Sequence, residues 1–365
     1  MSRVLVVNAG STTLKLVVLD GDRVEVRQDG PWDGTTTDRI DDLLRASSGV
    51  DAVGHRVVHG GERTRPAVVD DDLVAELEAL GDLAPLHQPR SLAALRAARR
   101  ALPGVDHVAC FDTAFHTTLP PAAHTYALPA AWRARWNLRR FGFHGLSHAW
   151  VATRAPVVAG RGGDRLRLVS CHLGAGASAC AITGGRSIDT TMGFTPLDGL
   201  VMATRSGSVD PGLLLWLLDG RLTRGEVAEG LDRGSGLAGL SGTDGDMRTV
   251  LDRRREADEA AALAFDVAVH RLRQAVAAMA AALGGIDVLA FTGGVGEHLP
   301  EVRAATAAGL GFLGVHLDTV ANDAADDGRD ADLSAPDAAT RTVVIASRED
   351  LEIARQARSA LAPTG

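Results

Sequence analysis

Three cysteines in 365 residues, Cys110, Cys171 and Cys180, are too few for a disulfide framework. Each sits in an apolar run without metal-ligand spacing, so all three read as small core residues of a reduced compartment. A long unbroken apolar run is missing too. The Ala-rich stretch Glu259–Leu283 is interrupted by Asp266, His270, Arg271 and Arg273, which makes it a long soluble helix and not a membrane span. The apolar run near the start is too short for a secretory signal and ends in Asn-Ala-Gly-Ser. There is no excess of positive charge: 38 Lys and Arg against 46 Asp and Glu leave a formal net charge of −8, which argues against a nucleic-acid partner. What is left is a cytoplasmic globular protein, 45% hydrophobic and 23% charged, able to bury a large core in two or three domains.

The stretch Arg3–Leu19 organises the chain. Two apolar, β-branched runs, Val4–Val7 and Leu16–Leu19, flank the polar turn Asn8-Ala9-Gly10-Ser11-Thr12-Thr13, and together they read as a β-hairpin. Gly10 allows close approach of a ligand to the backbone, and Ser11, Thr12, Thr13 and the loop N–H groups are donors for phosphate oxygens. Lys15 adds a point charge just beyond the turn. Leu166–Thr183 repeats the plan, with Gly174, Gly176 and Ser178 in its turn, and a third glycine turn, Thr292–Glu297, follows Val288–Phe291. Two hairpin-led halves predict duplicated α/β domains facing one nucleotide across a cleft. In this plan the chain resembles the actin, sugar kinase and chaperone ATPase superfamily, whose domains are ribonuclease H-like. The expected division is 1–114 with 351–365, and 115–350.

Between the hairpins the pattern predicts a strand at Val24–Arg27, a helix over Thr37–Ala46 and a strand within Val50–Gly61. His55, Arg56 and His59 interrupt that last strand. A buried charge is costly unless paired, so Arg56 is expected at a site. Helices are predicted over Asp70–Gly81 and Ser91–Arg100, then a strand His107–Phe111 ending in Asp112, a carboxylate at the strand edge where α/β sheets place ligands. His144 and His148 have a zinc-like spacing, but the motif's Glu is absent and Gly145 weakens a helix there, so the aromatics around His144 read as a site wall. Arg205 stands among small residues, free for a bidentate contact with carboxylate or phosphate. Pro300–Gly309 reads as a helix, Ala321–Thr340 as an Asp/Ala-rich surface loop, Thr342–Ala346 as a strand and Leu351–Leu361 as a last helix packed on the first domain.

Taken in order, eight motifs resemble those of the acetokinase family over nearly the whole chain. They are NAGSTTLK at Asn8–Lys15, GHRVVHGGE at Gly54–Glu62, LAPLH at Leu83–His87, FDTAFH at Phe111–His116, FGFHGLSH at Phe141–His148, TMGFTPLDGL with TRSG around Arg205, FTGGVGE at Phe291–Glu297 and SREDLEIAR at Ser347–Arg355. The resemblance implies reversible, Mg²⁺-dependent transfer of the ATP γ-phosphoryl group to acetate, giving acetyl phosphate and ADP, with Mn²⁺ as a substitute cation and a homodimeric assembly. Carried over by position, Arg56, Asp112, His144 and Arg205 are the catalytic residues. Val58, Leu86, Phe143 and Pro196 match the family's pocket for the acid's alkyl end. Ser11, Thr13, Lys15, His172, Gly174 and Gly176 match its phosphate loops, and Asp246, Met247, Arg248, Gly293 and Gly294 border the adenosine. Asn8 and Glu349 match its metal site.

The residue types suit that chemistry on their own. A carboxylate is ionised at neutral pH and needs no strong base; it needs cations that suppress repulsion from the phosphoryl group. Three positions depart from the family pattern: Ala175 and Gln88 each stand for Asn, and His298 stands for Asn after Gly-Glu. Alternatives are a propionate or butyrate kinase of the same fold, because one methylene shifts discrimination by only ~1–3 kcal/mol, and a non-kinase actin-like ATPase.

Overall fold

The computed structural model describes residues 3–10, 13–32, 42, 49–84, 87–325 and 327–362. Two compact units result. One comprises Met1–Thr117, Phe143–Trp150 and Arg348–Gly365, the other Thr118–Gly142 and Val151–Ser347. Phe143–Trp150 therefore groups with the first unit.

The first unit is built on a six-stranded sheet. Strands β1 (Arg3–Ala9), β2 (Thr13–Asp20) and β3 (Arg23–Pro31) form an antiparallel meander, with Asn8 directly opposite Lys15. β4 (Ala52–Val57) and β6 (Asp106–Phe111) add in parallel beside β1, and the two-residue β5 (Ala67–Val68) closes the edge, giving the order β3-β2-β1-β4-β6-β5. β1 reads as an unbroken apolar run because both of its faces are covered. Leu5, Val7 and Ala9 pack with Ala94, Ala97 and Ala98 of the helix Gln88–Ala101. Val4 and Val6 pack on the other side with Ile353, Ala354 and Ala357 of the helix Glu349–Leu361. The last helix thus covers the first sheet, as its apolar stripe requires. The helix predicted over Asp70–Gly81 forms at Asp71–Ala79, with the Asp70 side chain capping Leu73 N–H at 2.7 Å.

The second unit repeats this order. β7 (Arg167–Leu173), β8 (Ala177–Thr183) and β9 (Arg186–Thr190) form the antiparallel meander, β10 (Val288–Thr292) and β12 (Arg341–Val344) run parallel to β7, and β11 (Ala331–Asp332) is the short antiparallel edge. The sheet order β11-β12-β10-β7-β8-β9 is that of the first sheet strand for strand. The duplication expected from the two hairpins is present in the topology, and the fold is α/β with two actin-like halves. The long helix occupies Glu259–Leu283, capped by Asp258 and stopped by Gly284 in the left-handed region. Cys110, Cys171 and Cys180 are free thiols, fully buried.

Two expectations need correction. The helix start at His144–His148 is not weakened by Gly145: the helix Gly145–Val158 begins there. Ala321–Thr340 is not a simple surface loop. Thr319–Ala324 is a helix, β11 pairs with β12, and Leu333 is fully buried. Two contacts account for this: the buried guanidinium of Arg303 donates to the carbonyls of Asn322 and Ala325 and to Asn322 Oδ1, holding the end of the helix, and β12 takes up β11 and the N–H of Leu333. The helix expected over Thr37–Ala46 falls, apart from Asp42, outside the described residues.

Candidate active site

In the first unit β1, β4 and β6 run parallel or adjacent, so Asn8, Arg56 and Asp112 come to the same sheet edge at their C-terminal ends. Glu349 reaches them as the first residue of the last helix. Arg56 Nε and Nη2 both donate to Asp112 Oδ2, at 3.1 and 2.7 Å. Arg56 Nη1 donates to Asn8 Oδ1 at 3.3 Å and lies 3.7 Å from Glu349 Oε2. Asn8 Nδ2 donates to Glu349 Oε2 at 3.0 Å. Asp112 is buried, and the Arg56 side chain keeps only 15% of its exposure. Burial opposes the charge on Arg56, but Asp112 and then Glu349 outweigh it, so the guanidinium is held above its ordinary range. Burial pushes the Asp112 carboxyl up, Glu349 adds to that, and Arg56 pulls against both.

The segment after Asp112 shapes the wall of this cluster. A Cβ on Gly145 would lie 1.9 Å from the Asp112 carbonyl oxygen, so only glycine lets the helix start approach the carboxylate's own backbone. His144, just before it, is held at φ +55°, a region costly for a residue with a side chain. Phe143 is buried, its carbonyl bonded to His116 at 2.9 Å, and its ring meets His59 edge-on at 5.6 Å. Val58, next to His59 in sequence, is buried. Gln88, one of the departures from the family pattern, is buried and satisfied at both ends: Oε1 accepts His59 N–H at 3.0 Å, and Nε2 donates to the carbonyls of His59 and Leu77. The longer side chain fits. Leu86 and Ser11 lie outside the described residues; Thr13 and Lys15 are exposed on β2.

The remaining candidates belong to the second unit. Gly174 N–H bonds to Gly176 C=O at 2.9 Å, forming the tight turn, and the carbonyl of Ala175 accepts Ala203 N–H at 3.0 Å, two residues from Arg205. Ala175 itself is exposed, and His172 at the end of β7 is half-buried. Gly293, at φ +78°, packs so closely on Leu173 that a Cβ would sit 2.6 Å from its carbonyl oxygen, which joins the second and third glycine turns. Gly294 is exposed, with nothing within 4 Å of an added Cβ. Arg205 is not the free cation its neighbours imply: Nη1 donates to Pro196 C=O at 2.5 Å, and burial lowers its pKa against the pull of Asp232. Asp246 caps the helix Met247–Arg255 and takes the Arg248 guanidinium, while Met247 is buried.

The sequence pattern of the acetokinase family matches residues 34–355. The chain belongs to the acetokinase family. It is 45% identical to the acetate kinase of Leifsonia xyli subsp. xyli, over 99% of this chain and all of that one. Among solved structures it is similar to Porphyromonas gingivalis acetate kinase, at 34% identity and TM-score 0.89, and to a propionate kinase from Francisella tularensis, at 31% identity and TM-score 0.90. Each comparison covers 99% of this chain and 100% of the other. An acetokinase of this sequence also uses two residues that the motifs do not single out, Tyr126 and Arg140, to hold the segment Thr191–Pro196. The one available signal was that Tyr126 is the chain's only tyrosine.

Proposed function

We propose that the chain is an acetate kinase, transferring the γ-phosphoryl group of ATP reversibly to acetate and forming acetyl phosphate and ADP. The observation that carries this reading is Arg56, aligned by Asp112 and Asn8 at a sheet edge, in a chain of this family. A carboxylate and a phosphoryl group repel each other, and a guanidinium held in one orientation removes that barrier without reorganisation. In this reading Asp112 orients Arg56, Arg205 supplies the second cation, and His144 donates to phosphoryl oxygens as charge shifts. Val58, Leu86, Phe143 and Pro196 border the acid. Thr13, Lys15, Ser11, His172, Gly174 and Gly176 follow the phosphates, and Asp246, Met247, Arg248, Gly293 and Gly294 border the nucleoside.

The donor set suits a hard cation that arrives with its substrate. Among the described residues no group of three or more His, Cys, Asp or Glu is placed to hold a metal. Glu349 and the Asn8 amide oxygen offer two oxygen ligands, and Mg²⁺ takes one or two protein oxygens and completes its shell with water and phosphate. When bound there, Mg²⁺ would offset phosphate charge. The same oxygens accept Mn²⁺.

Propionate is the second reading, favoured by the Francisella likeness. A hydroxamate assay with ATP, Mg²⁺ and acetate, propionate or butyrate in turn tests both readings. Acyl phosphate trapped fastest with acetate supports the first, faster trapping with a longer acid moves the substrate, and no trapping with any acid rejects both. We also propose a homodimer through the helix Pro211–Leu218, where Leu213, Leu215, Trp216 and Leu218 are all exposed. Leu215→Glu should convert dimer to monomer in sedimentation; an unchanged dimer places the interface elsewhere. Among the described residues no helix is long and apolar enough to cross a membrane.

A further inference from the structure

We propose that Tyr126 is a positioning residue for the acid end of the site, its hydroxyl fixing the Gly193–Phe194 peptide that leads into Pro196 and thereby setting which acid is accepted. The inference rests on the reading of Pro196 as a wall of the acid pocket. One peptide group is gripped from both sides. Its N–H, on Phe194, donates to Tyr126 Oη at 2.8 Å, and its C=O, on Gly193, accepts the N–H groups of Phe141 and Gly142 at 3.0 and 3.3 Å.

The peptide is closely packed at Gly193. A Cβ on Gly193 would lie 2.5 Å from Tyr126 Oη and 2.6 Å from Asp198 Oδ2. Just upstream, Arg140 Nη1 donates to the carbonyls of Thr191 and Met192, both at 2.8 Å, and its guanidinium lies 5.8 Å from the Tyr126 ring centroid. Just downstream, the Pro196 carbonyl takes Arg205 Nη1. The segment Thr191–Pro196 is therefore anchored at its start by Arg140, in its middle by Tyr126 and at its end by the proposed catalytic Arg205. A phenylalanine would fill the same space. The hydroxyl accepts its hydrogen bond from the main chain, and without it Phe194 N–H loses that partner and the segment is released to shift.

In an apolar pocket one methylene is worth on the order of 10–200-fold in kcat/KM, and that discrimination depends on where the walls stand. Tyr126→Phe is therefore expected to change the acetate-to-propionate and acetate-to-butyrate ratios of kcat/KM by at least about threefold, most of it in the KM of the acid, while the KM of ATP stays within about twofold. Arg140→Gln, which loosens the same segment from its other end, should move the ratios in the same direction and serves if Tyr126→Phe is poorly folded. A merely structural tyrosine would lower the melting temperature and leave the ratios alone; that result, in both variants, overturns the proposal. Pro196→Ala separates the two levels. If it shifts the ratios and Tyr126→Phe does not, the role of Tyr126 falls while the pocket stands. If neither shifts them, the pocket assignment falls and this inference with it.

Discussion

Arg56 meets Asp112 through two nitrogens on a single oxygen, Nε and Nη2 both donating to Oδ2, so the plane of the guanidinium is fixed and Nη1 is turned toward Asn8 and Glu349. The buried carboxylate acts on the cation's orientation, which a flexible lysine at the same place could not reproduce.

Arg56→Ala should lower kcat by at least ~100-fold, and Arg205→Ala likewise, the scale of losing a cation that stabilises a phosphoryl transition state. Arg56→Lys restores charge without the fork and should recover only part of the loss. Steady-state kinetics on folded protein decides it; near-wild-type turnover in either alanine variant would remove that arginine from the chemistry.

Gly294 offers a test of nucleotide placement that leaves the protein's own packing alone. An added Cβ meets nothing within 4 Å and the backbone is not left-handed. Gly294→Ala should keep or slightly raise the melting temperature, since the unfolded chain loses freedom. Gly294→Val should raise the KM of ATP about tenfold or more through obstruction, with the KM of acetate unchanged. An unaltered ATP KM in the valine variant would show that the base does not lie there.

Lys15 is the only lysine in the chain and stands exposed, opposite Asn8 across the first hairpin. An amine-directed acylating reagent can therefore modify one side chain, besides any free α-amino group. Activity should fall in step with the fraction of Lys15 modified, measured by peptide mass, and saturating Mg-ATP should slow the modification. Full activity at complete modification would take Lys15 off the phosphate path.

Arg56 and Asp112 were legible because each breaks an apolar strand or ends one, and a sheet edge is where such residues collect. Glu349 was not: an acidic residue opening a helix is ordinary, and 341 residues separate it from Asn8. Only the family likeness reached it. The left-handed backbone at His144 leaves no trace in composition. Arg303 misleads, since an arginine in the helix Pro300–Ala308 reads as a solvated cation. It is wholly buried, spending its donors on Asn322 and the carbonyls of Gly296, Glu297, Asn322 and Ala325. That is why the segment around Asn322 looked unstructured. Repeated hairpins, by contrast, gave both sheets, because apolar periodicity is local and carbonyl capture by a distant side chain is not.

His59 makes the stability of the first unit depend on pH. Its ring is buried, its Nδ1 accepts Gly61 N–H at 3.0 Å, and burial lowers its pKa from 6.5 to about 4. Protonating Nδ1 would break that bond inside the protein. Between pH 6.5 and about 4 the unfolded chain binds this proton and the native one does not, so stability falls as pH falls through that window and is unaffected above it. From pH 7 to pH 5 the cost from His59 is about 2 kcal/mol, and His55, whose pKa burial and then the neighbouring His107 hold well below its ordinary value, acts in the same direction. The melting temperature should therefore drop on going from pH 7 to pH 5, and His59→Gln, which does not titrate, should drop by less, a few degrees in the difference. Parallel pH profiles for the two proteins would mean that His59 takes up its proton without resistance and that the acid sensitivity lies elsewhere.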